Sequence, residues 1–224
     1  MKISPTLTEV KEIAKTGKYD ILPVSCEILS DFITPIEAMR ILQNVSTHCY
    51  LLESAQANEA WGRYTFLGYD PKLEINCIDG HMKLGKLSVE TENPSEYIRQ
   101  ILSEYKSPKF DYLPSFTGGL VGYFSYDYLG YKEKSIRGKA RDTEDFKDVD
   151  LMLFDKVIAF DNLCQKIILI ANMSLDAPET GYNKAIVELK QLREHLMHGE
   201  KKQNMGGKLL GEVTPLFDKE QYCE

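Results

Sequence analysis

The residues that could do chemistry in this chain gather in one stretch, LLESAQANEAWGRYTFLG, from Leu51 to Gly68. Glu53 offers an anion and Ser54 a compact hydroxyl at the end of an apolar run, and Arg63 adds a guanidinium after a short polar loop. A carboxylate can hold an ammonium, a hydroxyl can bond either group of a zwitterion, and a guanidinium can pair with a carboxylate. The stretch reads as an effector pocket rather than a catalytic centre. The plainer reading makes Glu53-Ser54 a polar strand terminus facing water, and Arg63 one half of a salt bridge to Asp70 or Glu59. Neighbours on a strand point to opposite faces, so Glu53 and Ser54 share a site only if the strand ends or bulges there. Trp61, the single tryptophan, reads as a packing anchor.

Other candidates carry less. Gly118, Gly119 and Gly122 do not follow the phosphate-loop spacing and lack its lysine, so close packing or positive-φ turns explain them better. His195 and His198 lack a third ligand for a metal. His48-Cys49 would diverge on a strand. The five cysteines form no C-x-x-C pair and read as small buried hydrophobes of a reducing compartment.

Composition narrows the class. The 224 residues are 43% hydrophobic and 27% charged, as in an ordinary globular protein. A net charge of -7 argues against a nucleic-acid surface. No apolar run approaches a membrane span, and MKISPTLTEVKEIAKTGKYD has no signal-peptide core, so a cytoplasmic protein is expected.

The elements that must hold the focal stretch follow from periodicity and punctuation. Ser4-Pro5 predicts a helix start with Ser4 as N-cap, and Gly17 its end. Tyr19–Leu29 reads as extended, and Pro23 predicts an edge strand or a bend. Thr34-Pro35-Ile36-Glu37 starts a second helix with a possible capping box, running to about Asn44 with Ile36, Met39 and Leu42 on one face. His48–Ser54 and Arg63–Gly68 form the focal hairpin. Leu73–Ile78 and Met82–Val89 form another, through Asp79-Gly80. A third helix runs from Pro94 to about Tyr105. Asp127–Asp150 is dense in charge and reads as an exposed excursion. Leu151–Asp161 and Lys166–Asn172 are apolar strands joined near Asp161-Asn162. After Pro178, Tyr182, Ala185, Ile186, Leu189, Leu192 and Leu196 form one helical stripe. The expected fold class is α+β, with mainly antiparallel sheets built from hairpins and inserted helices. The expected division is a domain over 1–198, a linker over 199–214, and the start of a further domain, cut short, over 215–224.

The landmarks LLES, WGRYTFLG and GGLVGYFSYD (Gly118–Asp127) closely resemble the N-terminal part of anthranilate synthase component I, a chorismate-utilising enzyme. The resemblance covers the chain but only the first half of the family's usual length. It implies an enzyme, a lyase, that converts chorismate and ammonia to anthranilate and pyruvate, with Mg2+ in the full-length enzyme and a glutaminase subunit as ammonia source. The catalytic and metal-binding residues of that family lie in a C-terminal region absent here, so none is assigned and this chain alone is expected to be inactive. What the resemblance carries over is the feedback site for L-tryptophan, shared between the two regions, onto Glu53 and Ser54, with Arg63 as a further candidate. Two alternatives are a component of aminodeoxychorismate synthase and a non-catalytic docking fragment.

Overall fold

The structure, a computed structural model, describes residues 1–54, 62–133, 135, 146–203 and 206–223. The first strand, β1 (Ile3–Ser4), precedes helix α1 (Leu7–Lys15), which starts two residues later than the Ser4-Pro5 signal suggests. Its N-cap is Thr6, whose side chain accepts from the Glu9 N–H while the Glu9 carboxylate accepts from the Thr6 N–H and hydroxyl. This capping box satisfies two orphan donors at once, which Ser4 could not do. Gly17, at φ 62°, follows the helix as expected.

Strand β2 (Ile21–Leu29) includes Pro23. The two-residue β1 pairs only with Ser25 and Cys26, so the outer side of β2 carries no ladder partner at Pro23 and its missing N–H costs nothing. Helix α2 (Pro35–Val45) has Thr34 as N-cap and the expected capping box with Glu37. Its buried face is Ala38, Ile41 and Leu42, whereas Ile36 is exposed, contrary to the face expected.

The focal hairpin is β3 (Cys49–Leu52) against β4 (Tyr64–Tyr69), with Leu51 opposite Leu67 and Leu52 opposite Phe66. Next come β5 (Leu73–Ile78), β6 (His81–Leu84) and β7 (Leu87–Glu90). Asp79 and Gly80 both take positive φ, as the turn requires. A second turn at Gly85, φ 60°, splits what reads as one strand into β6 and β7. Helix α3 spans Pro94–Ser103 and strand β8 Gly119–Phe124, followed by a 3-10 turn over Tyr126–Tyr131.

The apolar run expected as one strand from Leu151 to Asp161 is two. Strand β9 (Val149–Phe154) pairs with β5 and β8, and β10 (Lys156–Asp161) pairs with β4 and β11 (Lys166–Ser174). The chain changes sheets at Asp155. Helix α4 (Pro178–His198) buries Tyr182, Ala185, Leu189, Leu192 and Leu196 as its stripe predicts. Beyond it the described residues carry a short α5 (Lys219–Cys223), with Leu209, Leu210, Val213, Leu216 and Phe217 exposed.

Two antiparallel sheets result, in the orders β1-β2-β11-β10-β4-β3 and β7-β6-β5-β9-β8, and the fold is α+β as expected. One face of the six-stranded sheet packs Leu22, Leu67, Ile158 and Leu169 against α1, α2 and α4. Its other face is covered by Phe110, Leu113 and Phe116. The five-stranded sheet buries Ile75, Cys77, Met82 and Leu151 under Ile98 of α3 and Tyr128 and Tyr131 of the 3-10 turn.

Cys26 and Cys77 are buried and Cys49 is half-buried, but Cys164 and Cys223 are exposed, so the buried-hydrophobe reading fails for those two. Of the expected excursion over Asp127–Asp150, residues 134 and 136–145 lie outside the described residues. The flanks are ordered: the Tyr131 hydroxyl donates to Asp148 (2.7 Å) and accepts from the Gly80 N–H (2.7 Å).

Candidate functional site

Strand β3 is the edge of the six-stranded sheet and its ladder ends at Leu52. Glu53 and Ser54 follow at once, both exposed, so the strand does end where a shared site would need it to end. The loop that follows, with Glu59 and Trp61, lies outside the described residues, and so does the packing role expected of Trp61.

Beneath Glu53 the sheet presents a polar layer that apolar patterning would not suggest. Thr65, on β4, is 1% exposed, and its hydroxyl lies 3.5 Å from Glu53 Oε1. The Asn162 Nδ2 group reaches the same hydroxyl at 3.4 Å and the Gly62 carbonyl at 3.5 Å. The Asn162 backbone N–H donates to the Arg63 carbonyl at 2.9 Å, which continues the β4–β10 ladder past its last pair.

Of the two salt-bridge partners expected for Arg63, Glu59 lies outside the described residues and Asp70 is not the one it meets. Its Nε donates to Asp161 Oδ1 at 3.1 Å and its Nη2 to Oδ2 at 2.7 Å. Asp70 pairs instead with Lys156, at 2.9 Å. The guanidinium also lies over the Tyr64 ring, 4.9 Å from its centroid, and 3.6 Å from Cys164 Sγ. Asp161 is 1% exposed and takes two further donors, the N–H groups of Leu163 (3.2 Å) and Cys164 (3.0 Å). Burial alone would raise its pKa, but the Arg63 hydrogen bond and the Cys164 N–H outweigh it and hold the carboxyl at about 2. In return Asp161 raises the guanidinium pKa, so the pair is ionised throughout the working pH range.

Glu53, Ser54 and Arg63 therefore converge on one end of the β3–β4–β10 ladder. Asp161, Asn162 and Thr65 complete that cluster and escaped the sequence reading. Their only sequence signals are a threonine inside the apolar run YTFLGY and an aspartate closing an apolar strand. Two grooves of about 440 and 480 Å3 lie beside Tyr112, and neither includes Glu53, Ser54 or Arg63. No group of three or more His, Cys, Asp or Glu among the described residues could hold a metal ion. No helix among them is long and apolar enough to cross a membrane.

Comparison with known proteins fits this chain into a family. Residues 47–224 match the model for chorismate binding enzymes, and the chain belongs to that family. It is 30% identical to anthranilate synthase component 1 of Acetivibrio thermocellus, over 98% of this chain and 46% of that protein. It is 36% identical to the protein of the same name from Pseudomonas aeruginosa, over 84% of this chain and 39% of the relative. The chain thus spans less than half the length of these relatives. A crystal structure of anthranilate synthase component I from Streptococcus pneumoniae TIGR4 aligns over 75% of this chain and 38% of its own, at TM-score 0.48 and 24% identity.

Proposed function

We propose that this chain is the feedback-regulatory part of an anthranilate synthase component I, carrying part of a site for L-tryptophan. In the complete enzyme, chorismate and ammonia give anthranilate and pyruvate. The chemistry resides in the region that the relatives carry beyond this chain, with Mg2+ bound there and a glutaminase subunit supplying ammonia. Residues 1–198 are the regulatory domain, 199–214 a linker and 215–224 the start of the chorismate-binding domain.

The observation that carries the reading is the placement of Glu53 and Ser54. Both are exposed just past the end of an edge strand, and Glu53 lies against the buried Thr65 hydroxyl. Glu53 takes the effector ammonium, Ser54 hydrogen-bonds the zwitterion, and the exposed Leu52 walls the indole. Arg63 uses Nε and Nη2 on Asp161, so it meets the effector carboxylate only through its remaining N–H edge. An open half-site suits an effector held between two bodies. Tryptophan bound there favours one arrangement of the two, and that arrangement disfavours productive chorismate binding.

The test joins this chain to the chorismate-converting half of the Acetivibrio thermocellus relative. Inhibition by L-tryptophan should disappear in Ser54→Phe while turnover without tryptophan is retained. Inhibition unchanged by that substitution would remove Ser54 from the site.

A further inference from the structure

We infer that Thr65 and Asn162 are positioning residues that fix the orientation of the Glu53 carboxylate, an inference that rests on the effector reading above. Asn162 Nδ2 carries two N–H groups, and it faces two oxygens, the Gly62 carbonyl and the Thr65 hydroxyl. Toward Asn162 the Thr65 oxygen is thus an acceptor, and its single proton must go elsewhere. Thr65 is 1% exposed, so water is not its outlet. Among the described residues the acceptor within reach is Glu53 Oε1, at 3.5 Å. Polarity therefore runs one way, from the Asn162 amide through the Thr65 hydroxyl to the carboxylate.

The chain's own geometry pins the start of this relay. Asn162 sits in the β10–β11 turn, where its N–H is held by the Arg63 carbonyl and its carbonyl accepts from Gln165 Nε2 at 2.7 Å. The Asp161 carboxylate gathers the Leu163 and Cys164 N–H groups of the same turn and ties it to Arg63. A glutamate on an exposed strand end would otherwise sample several rotamers, at an entropy cost on binding. Held by Thr65, the carboxylate keeps one oxygen engaged and presents the other outward, where an ammonium would meet it.

The experiment compares this chain with Thr65→Val, which removes the hydroxyl at nearly constant shape, and Thr65→Ser, which restores it. Asn162→Asp is the second variant: its carboxylate cannot donate, so the Thr65 proton turns to it and Glu53 is released. Side-chain NMR couplings report the Glu53 rotamers without any ligand, and thermal melts report folding. One dominant rotamer is expected in the parent and in Thr65→Ser, and averaged rotamers in Thr65→Val and Asn162→Asp. With each variant joined to the chorismate-converting half of the Acetivibrio thermocellus relative, weakening of L-tryptophan binding by about five-fold is expected in Thr65→Val, with recovery in Thr65→Ser. Glu53 rotamers unchanged in both Thr65→Val and Asn162→Asp would overturn the inference. A joined parent protein that binds no tryptophan would remove the effector reading instead, and the rotamers of this chain would still decide the relay.

Discussion

Replacing Asp161 by Asn should destabilise the chain by about 3 kcal/mol at neutral pH, through a loss that can be followed by titration. The carboxylate is buried, accepts two bonds from Arg63 and two from backbone N–H groups, and has its pKa held at about 2. An unfolded aspartate titrates near 3.9, so the depression of about 2 units corresponds to roughly 2 to 3 kcal/mol of folding free energy. Asparagine can keep the acceptor for the turn N–H groups but sets an amide N–H2 against Arg63 Nη2, which adds about 1 kcal/mol. Arg63 is about a third exposed at its side chain and can rehydrate, which holds the cost at the low end of the roughly 3 to 5 kcal/mol found for broken buried pairs. The sign follows from the depression of the folded pKa. The contribution is fully present above about pH 4 and is lost as pH falls through about 2. Urea unfolding of parent and variant at a series of pH values measures the gap directly. The gap should be constant above about pH 5 and close between about pH 4 and 2. A gap below about 0.5 kcal/mol at pH 7, or one that widens on acidification, would refute the reasoning.

Two further substitutions test the framework around the site. In Gly122→Ala, at φ 152°, the new Cβ would lie 1.9 Å from the Asp150 carbonyl oxygen, so β8 must leave β9. A loss of about 3 kcal/mol or more is expected in a denaturant melt, with early hydrogen exchange across the β8–β9 ladder. Tyr182→Phe removes a buried hydroxyl that donates to the Pro5 carbonyl at 3.0 Å, tying α4 to the start of α1. That variant should lose about 1 kcal/mol, read as a lowered melting temperature.

Local signals were legible wherever one segment satisfies itself. The Thr34-Pro35-Ile36-Glu37 box, the Asp79-Gly80 turn and the Tyr182–Leu196 stripe each carry their own hydrogen bonds or face. Where two local signals competed, the reading erred: Ser4-Pro5 and Thr6-x-x-Glu9 both announce a helix, and the capping box satisfies more donors. Non-local pairing was not legible. Leu151–Asp161 is one apolar run, yet its halves find partners in different sheets, and nothing local marks Asp155 as the change-over. The same holds for the site. Glu53, Ser54 and Arg63 stood out by type and order, but Asp161 and Asn162 reach Arg63 and Thr65 only because β10 pairs with β4. Asp70, near Arg63 in sequence, is drawn off by Lys156, which also lies 3.5 Å from Asp155 at the change-over.

The central claim is that the open end of β3 recognises an amino acid through Glu53. An NMR titration of L-tryptophan into this chain joined to the chorismate-converting half of the Acetivibrio thermocellus relative, and into the Glu53→Ala variant of that joined protein, tests it most directly. The account predicts saturable shifts centred on residues 51–54 and 62–65, weakened at least about ten-fold in Glu53→Ala, because a charge-assisted bond to the ammonium is lost. Shifts elsewhere in the chain, equal binding by both proteins, or no binding by the parent would contradict it.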